Sequence, residues 1–173
     1  MPVDLKPIKD YIGLWQLISY NRVERGSADP EFTPPTLIDM AINPVPKFGA
    51  RSVNVTHTYM DQNNKTIRSD YGFMPVKNST KRDPRIHIGY LTTSSGGYSM
   101  MEQGFVRGNK IYFHLKQFLR RTFGVGPDKN DLDVMELERQ YELQDDRKMT
   151  LRLRAETNYG IEGFTAEYSK VMP

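Results

Sequence analysis

The sequence predicts an all-β protein, a single closed antiparallel up-and-down β-barrel of about ten strands with a short N-terminal helical turn, spanning residues 1–173 as one domain. Three observations predict it. Apolar residues recur with a period of two over much of the chain. Short turn-forming sequences separate these stretches, and no segment shows a sustained helical period.

The strand text begins at Ile12. Val53, Val55, His57 and Tyr59 alternate with Asn54, Thr56 and Thr58, and 61–64 (Asp-Gln-Asn-Asn) supplies turn chemistry before strand text resumes from Thr66 to Val76. A loop over 78–84 leads to Arg85–Thr93, which alternates through Ile86, Ile88 and Tyr90. Gly96-Gly97 then turns the chain into Tyr98–Val106. After a turn at 107–109, Ile111, Phe113 and Leu115 share one face of a strand that extends toward Phe123. A loop rich in Gly, Pro and Asp follows over 124–131.

The stretch from Val134 to Leu143 is rich in Glu and has helix propensity. Leu137, Arg139, Tyr141 and Leu143 nevertheless alternate, and with Met149, Leu151 and Leu153 they form one more hairpin. The last strand, Phe164–Val171, alternates through Phe164, Ala166 and Tyr168. Between 29 and 46, Pro30, Pro34, Pro35, Pro44 and Pro46 rule out a central strand over most of the segment, which is either a flap across the barrel mouth or a plain connection.

The composition excludes several classes of function. With 38% hydrophobic residues against 26% charged, bulk hydrophobicity is too low for a membrane span, so alternation must organise the core. The net charge is only +3, and basic residues are interspersed with acidic ones, so no basic stripe for nucleic acid emerges. Cysteine is absent, which removes disulfides, thiolate nucleophiles and Cys-based metal sites and suits a reducing, cytoplasmic setting. Ser94-Ser95-Gly96-Gly97 lacks the frame of a nucleophile elbow, and neither a phosphate loop nor a His-Glu-x-x-His helix occurs. No catalytic residue is assigned.

Three stretches carry a family likeness: Ile12-Gly-Leu-Trp15, Tyr71-Gly-Phe73 and Tyr168-Ser-Lys-Val171. The likeness extends through 93–109 and 120–123. In these the chain resembles the nitrobindin family, haem-binding barrels of lipocalin and fatty-acid-binding-protein type that also occur fused to a THAP-type DNA-binding domain. The resemblance implies a ferric-haem peroxynitrite isomerase with a proximal His in the last strand, five residues before Tyr168. That count reaches Gly163, and 160–164 contains no His. A second pocket His of the family corresponds to Arg68. Haem iron takes an imidazole, thiolate, thioether or phenolate from the protein, so conventional ligation is not expected.

The residues therefore point to a barrel that binds a hydrophobic or acidic, fatty-acid-like small molecule, with no cofactor expected. Arg68 is the leading candidate, because a guanidinium inside a barrel requires either Asp70 or an acidic ligand as partner. Arg120, Phe73, His57 and Phe164 complete the expected ligand-binding set. Of the three histidines, only His57 shares the parity of the apolar residues on its strand; His87 and His114 oppose theirs. The alternatives are a haem-dependent isomerase in which a non-equivalent residue such as His57 holds the iron, and a filled barrel acting through its surface.

Overall fold

A computed structural model describes residues 3–25, 30–43, 51–120 and 132–173. Its ten strands are β1 (Gly13–Arg25), β2 (Leu37–Ile42), β3 (Arg51–Met60), β4 (Thr66–Lys77), β5 (Ile86–Ser94), β6 (Tyr98–Arg107), β7 (Lys110–Arg120), β8 (Val134–Asp145), β9 (Lys148–Thr157) and β10 (Gly160–Met172). Each pairs antiparallel with its sequence neighbour, and β1 also pairs with β10, so the sheet closes on itself. Closure leaves no strand edge exposed to pair with another chain.

Alternation decides which side chains enter. On β3, Val53, Val55, His57 and Tyr59 are buried, and on β8 Val134, Leu137, Arg139 and Tyr141 are. The Glu-rich stretch is a strand because its apolar residues match the two-residue repeat of a half-buried sheet, which outweighs local helix propensity. The expected extension of β7 to Phe123, and the loop after it, lie outside the described residues.

The proline-rich segment 29–46 contains one short strand. Leu37–Ile42 is free of proline and forms β2, a central strand between β1 and β3. Pro30, Pro34 and Pro35 precede it, where no ladder hydrogen bond is lost.

One end of the barrel is sealed by a 3₁₀ segment, Val3–Tyr11. The segment kinks at Ile8, and Leu5, Ile8 and Tyr11 are all buried in the core. The Tyr11 hydroxyl donates to the carbonyl of Asn109 at 2.6 Å, tying the seal to the β6–β7 turn. Trp15 Nε1 donates to the Tyr11 carbonyl at 2.9 Å. The opposite end, the mouth, carries the β3–β4, β5–β6 and β9–β10 turns.

Strand β7 packs directly against Gly104 of β6, where an added Cβ would lie 1.5 Å from the Tyr112 carbonyl oxygen. That atom is backbone, so neither side can yield without moving the ladder. Gly104→Ala is expected to destabilise the fold by at least about 2 kcal/mol, in the upper range for overpacking. Urea denaturation measures this, and an unchanged midpoint would contradict the close approach.

Candidate functional site

The inner wall holds two layers of polar side chains, and the residues 30–36 close over the outer one. These residues form a strap. Thr36 C=O accepts from Leu17 N–H on β1 and Thr36 N–H donates to Thr58 C=O on β3, each at 3.0 Å or less. The Tyr168 hydroxyl donates to Pro35 C=O at 2.6 Å. The strap tip is held from both sides of the mouth. Arg68 Nη1 on β4 donates to Glu31 C=O at 3.0 Å, and the Glu162 carboxylate on β10 accepts the N–H groups of Glu31 and Phe32. Since β4 and β10 stand on opposite walls of the closed sheet, Phe32 is carried across the opening. Its ring is buried, 6.2 Å from that of Tyr98.

Beneath the strap lies the first layer: Tyr59, Arg68, Asp70, Ser94 and Tyr98. Arg68 meets Asp70 in a two-point contact, Nε to Oδ1 at 3.2 Å and Nη2 to Oδ2 at 3.3 Å. It also donates to the Tyr98 hydroxyl and lies 4.5 Å over the Tyr59 ring. The Tyr59 hydroxyl donates to Asp70 Oδ2 at 3.0 Å. Burial by itself would raise the Asp70 carboxyl, but the Arg68 guanidinium, with smaller help from hydrogen bonding, holds it below its ordinary value. Burial pushes the Tyr98 phenol up to about 12, so it stays protonated.

The second layer lies toward the middle of the barrel. His57, Tyr90, Phe113 and Tyr141 form a circuit of rings around the inner wall: His57 to Tyr90 at 6.0 Å, Tyr90 to Phe113 at 5.8 Å, and Phe113 edge-on to Tyr141 at 6.3 Å. His57 Nε2 closes the circuit against the Tyr141 hydroxyl at 3.3 Å. Arg139 Nε donates to Glu102 Oε1 at 2.9 Å, and its guanidinium lies 5.2 Å over the Tyr90 ring. Burial raises the Glu102 carboxyl against the opposing pull of Arg139. Among the described residues, Tyr90 Oη, Thr92 Oγ1 and Glu102 Oε2 in this layer are buried without a hydrogen-bond partner.

The expected site residues separate in the structure. Arg68, His57 and Phe164 face inward. Arg120 sits exposed at the rim, directly opposite Tyr98 in the register. Phe73 is 50% exposed on the outer wall, because the inward residues of β4 are Asp70, Met74 and Val76, of opposite parity. Gly163 is likewise out of register with the interior. It is buried like its neighbours Glu162 and Phe164, but it pairs with Arg154, and by strand alternation it faces the opposite way from the inward Phe164. A side chain placed at 163 would therefore point away from the barrel. His87 binds Asp83 at 2.6 Å on the outer wall, and His114 is exposed. The inward Arg139 and Glu102 were not among the expected residues, although each is a charged residue on an apolar parity. Two outer-wall concavities of about 620 and 690 Å³ meet at Phe105 and His114, outside the barrel.

A family model described as a THAP4-like, heme-binding β-barrel domain matches residues 4–172. Among solved structures, the crystal structure of Rv2717c from M. tuberculosis is similar over 98% of both chains, with a TM-score of 0.63 and 16% sequence identity. At that identity the likeness shows the fold alone. No curated protein matches the chain. No helix among the described residues is long and apolar enough to cross a membrane.

The environment of His57 has a consequence for stability. Burial, and then the nearby Arg139, lower its pKa to about 3, so the folded protein keeps it neutral while the unfolded chain protonates it near 6.5. Its contribution is complete above that unfolded value and is lost as the pH falls toward the folded one. Stability should therefore decline through this window by up to about 1.4 kcal/mol per pH unit, and the slope should flatten in His57→Phe. Urea midpoints between about pH 4 and 7 test this, and identical slopes would show that His57 is not held neutral.

Proposed function

Because the chain belongs to the THAP4-like, heme-binding β-barrel family, we propose that it is a small-ligand-binding barrel whose mouth takes a molecule with an apolar body and a carboxylate or similar oxygen-bearing head, rather than an imidazole-ligated haem. One observation carries this reading. The strap occupies the mouth as such a ligand would, with an acceptor oxygen, Glu31 C=O, on Arg68 Nη1 and an apolar ring, Phe32, against Tyr98. A ligand that displaces the strap tip inherits both contacts. Arg120 at the rim adds a second cation near its path.

The donor set does not fit a family-style haem. His57 is the one histidine inside the barrel, and its Nε2 faces the Tyr141 hydroxyl with the Tyr90 ring alongside. The mouth phenols of Tyr59 and Tyr98 are engaged by Asp70 and Arg68 and are held protonated. Neither an imidazole nor a phenolate is turned toward a space that iron could enter.

Asp70 already balances the charge of Arg68. Selectivity for an acid over its neutral ester should therefore be moderate, about tenfold, as for one charge-assisted hydrogen bond. Fluorescence titration with cis-parinaric acid and its methyl ester measures this. The acid is expected to bind more tightly, and Phe32→Ala should tighten both by removing the competing ring. Equal affinities for acid and ester, or no binding of either, would sink the proposal. A haem titration giving an axial-imidazole spectrum that disappears in His57→Leu would replace it with the haem reading.

A further inference from the structure

We propose that the outer wall of the barrel carries a second binding site, centred on Gly89, for a small planar aromatic acid. The space it would fill is the concavity of about 620 Å³ over β4–β7, a size common among small-molecule sites. It lies outside the sheet and shares no residue with the mouth, so it stands or falls independently of the function proposed there.

Gly89 marks the site. It stands in the middle of β5 with its open side outward, between the inward Ile88 and Tyr90. Glycine inside a strand costs backbone entropy and packs nothing, and its uses there are a bulge, a bend or the close approach of a ligand or another backbone. At Gly72 and Gly104 the close approach is internal, since an added Cβ would lie 2.3 Å from the Leu91 carbonyl oxygen and 1.5 Å from that of Tyr112. At Gly89 it is not. An added Cβ would meet nothing closer than Pro75 Cγ at 3.4 Å, an ordinary contact; the backbone is not left-handed, and β5 pairs with β6 without a bulge. The fold has room for a side chain at this position and leaves it out.

The frame around Gly89 sets the size of the guest. His87 and Leu91 are the next outward residues along β5, Gln103 is the register partner on β6, and Pro75 stands beside it on β4. Strand geometry puts the first two about 13 Å apart and the last two about 10 Å apart between Cα atoms, which admits a single ring but not a strand or helix of a partner. Pro75, Leu91, Met101 and Phe105 supply apolar walls. The Phe105 ring is held by His87 at 5.1 Å and by Arg85 at 5.4 Å, both bonded to Asp83.

Charge selects an acid. Lys77, the register partner of His87, brings an ammonium to the rim, and Gln103 offers an amide donor. Among the described residues no carboxylate side chain lines the concavity: Glu102, the one acidic residue beside it, turns inward to Arg139 at 2.9 Å. A ring laid on the bare Gly89 backbone, with its carboxylate toward Lys77, satisfies both the apolar walls and the cation.

The probe is benzoate, compared with benzamide, followed by NMR of the full chain labelled with ¹³C at methionine and leucine methyl groups. Benzoate is expected to shift the exposed Met101 and Leu91 signals saturably and to leave the buried Met74 and Met100 in place. Benzamide should bind about twofold to fivefold more weakly, the worth of one exposed charge contact, and Lys77→Met should bring the two together. Gly89→Ala should weaken benzoate about fivefold or more by crowding the ring, and Gly89→Val should abolish its effect, with ligand-free thermal stability equal or higher. Phe32→Ala, which alters only the mouth, should change nothing. A Met101 and Leu91 response that is absent, that survives Gly89→Val, or that is as strong with benzamide overturns the proposal. A response that follows Phe32→Ala instead places the acid in the mouth and overturns it too. So does a dimer in solution that dissociates on Gly89→Val, which assigns the concavity to a second copy of the chain.

Discussion

The pairing of β1 with β10 is the constraint on which the rest of the structure depends. Once the sheet closes, its backbone is satisfied around the circumference and its inner face is cut off from water. Any charged side chain that alternation sends inward must then find its counterpart there. Arg68 finds Asp70 two residues away on its own strand, whereas Arg139 on β8 reaches Glu102 on β6, across the intervening β7. The second contact spans two neighbouring strand spacings on the inner face of the sheet.

The two ion pairs differ in what surrounds them. Arg68 is stacked on Tyr59 and bonded to Tyr98, Asp70 and the strap, so its donors are almost fully used. A buried pair of this kind contributes little net stability over an apolar substitute, but removing one partner strands the other. The Arg139–Glu102 pair is made through a single Nε contact, and one carboxylate oxygen is left over. The first pair anchors the strap across the mouth, and the second leaves one carboxylate oxygen without a partner among the described residues.

The fold was legible in the sequence because a period of two survives local composition. Leu137, Arg139 and Tyr141 alternate within a Glu-rich stretch, and all three point inward. β2 was obscured by the prolines on either side of it, since proline marks where a ladder is interrupted but does not mark a short strand between interruptions. The site was less legible. Phe73 and Gly163 were picked by likeness to family motifs, and parity places both on the other side of the wall, where a one-residue offset reverses the direction of a side chain. Arg139 and Glu102 carried a usable signal, a charge in an inward register. Their partnership was invisible because no short-range pattern relates residues 37 positions apart on non-adjacent strands.

The 3₁₀ segment under the barrel floor has a kinetic implication. With Leu5, Ile8 and Tyr11 wedged into one opening and stitched to the β6–β7 corner, the barrel is closed at that end. Traffic in both directions must share one doorway. A guest of the proposed mouth site would have to part the strap from Arg68 and Glu162 on the way in and again on the way out.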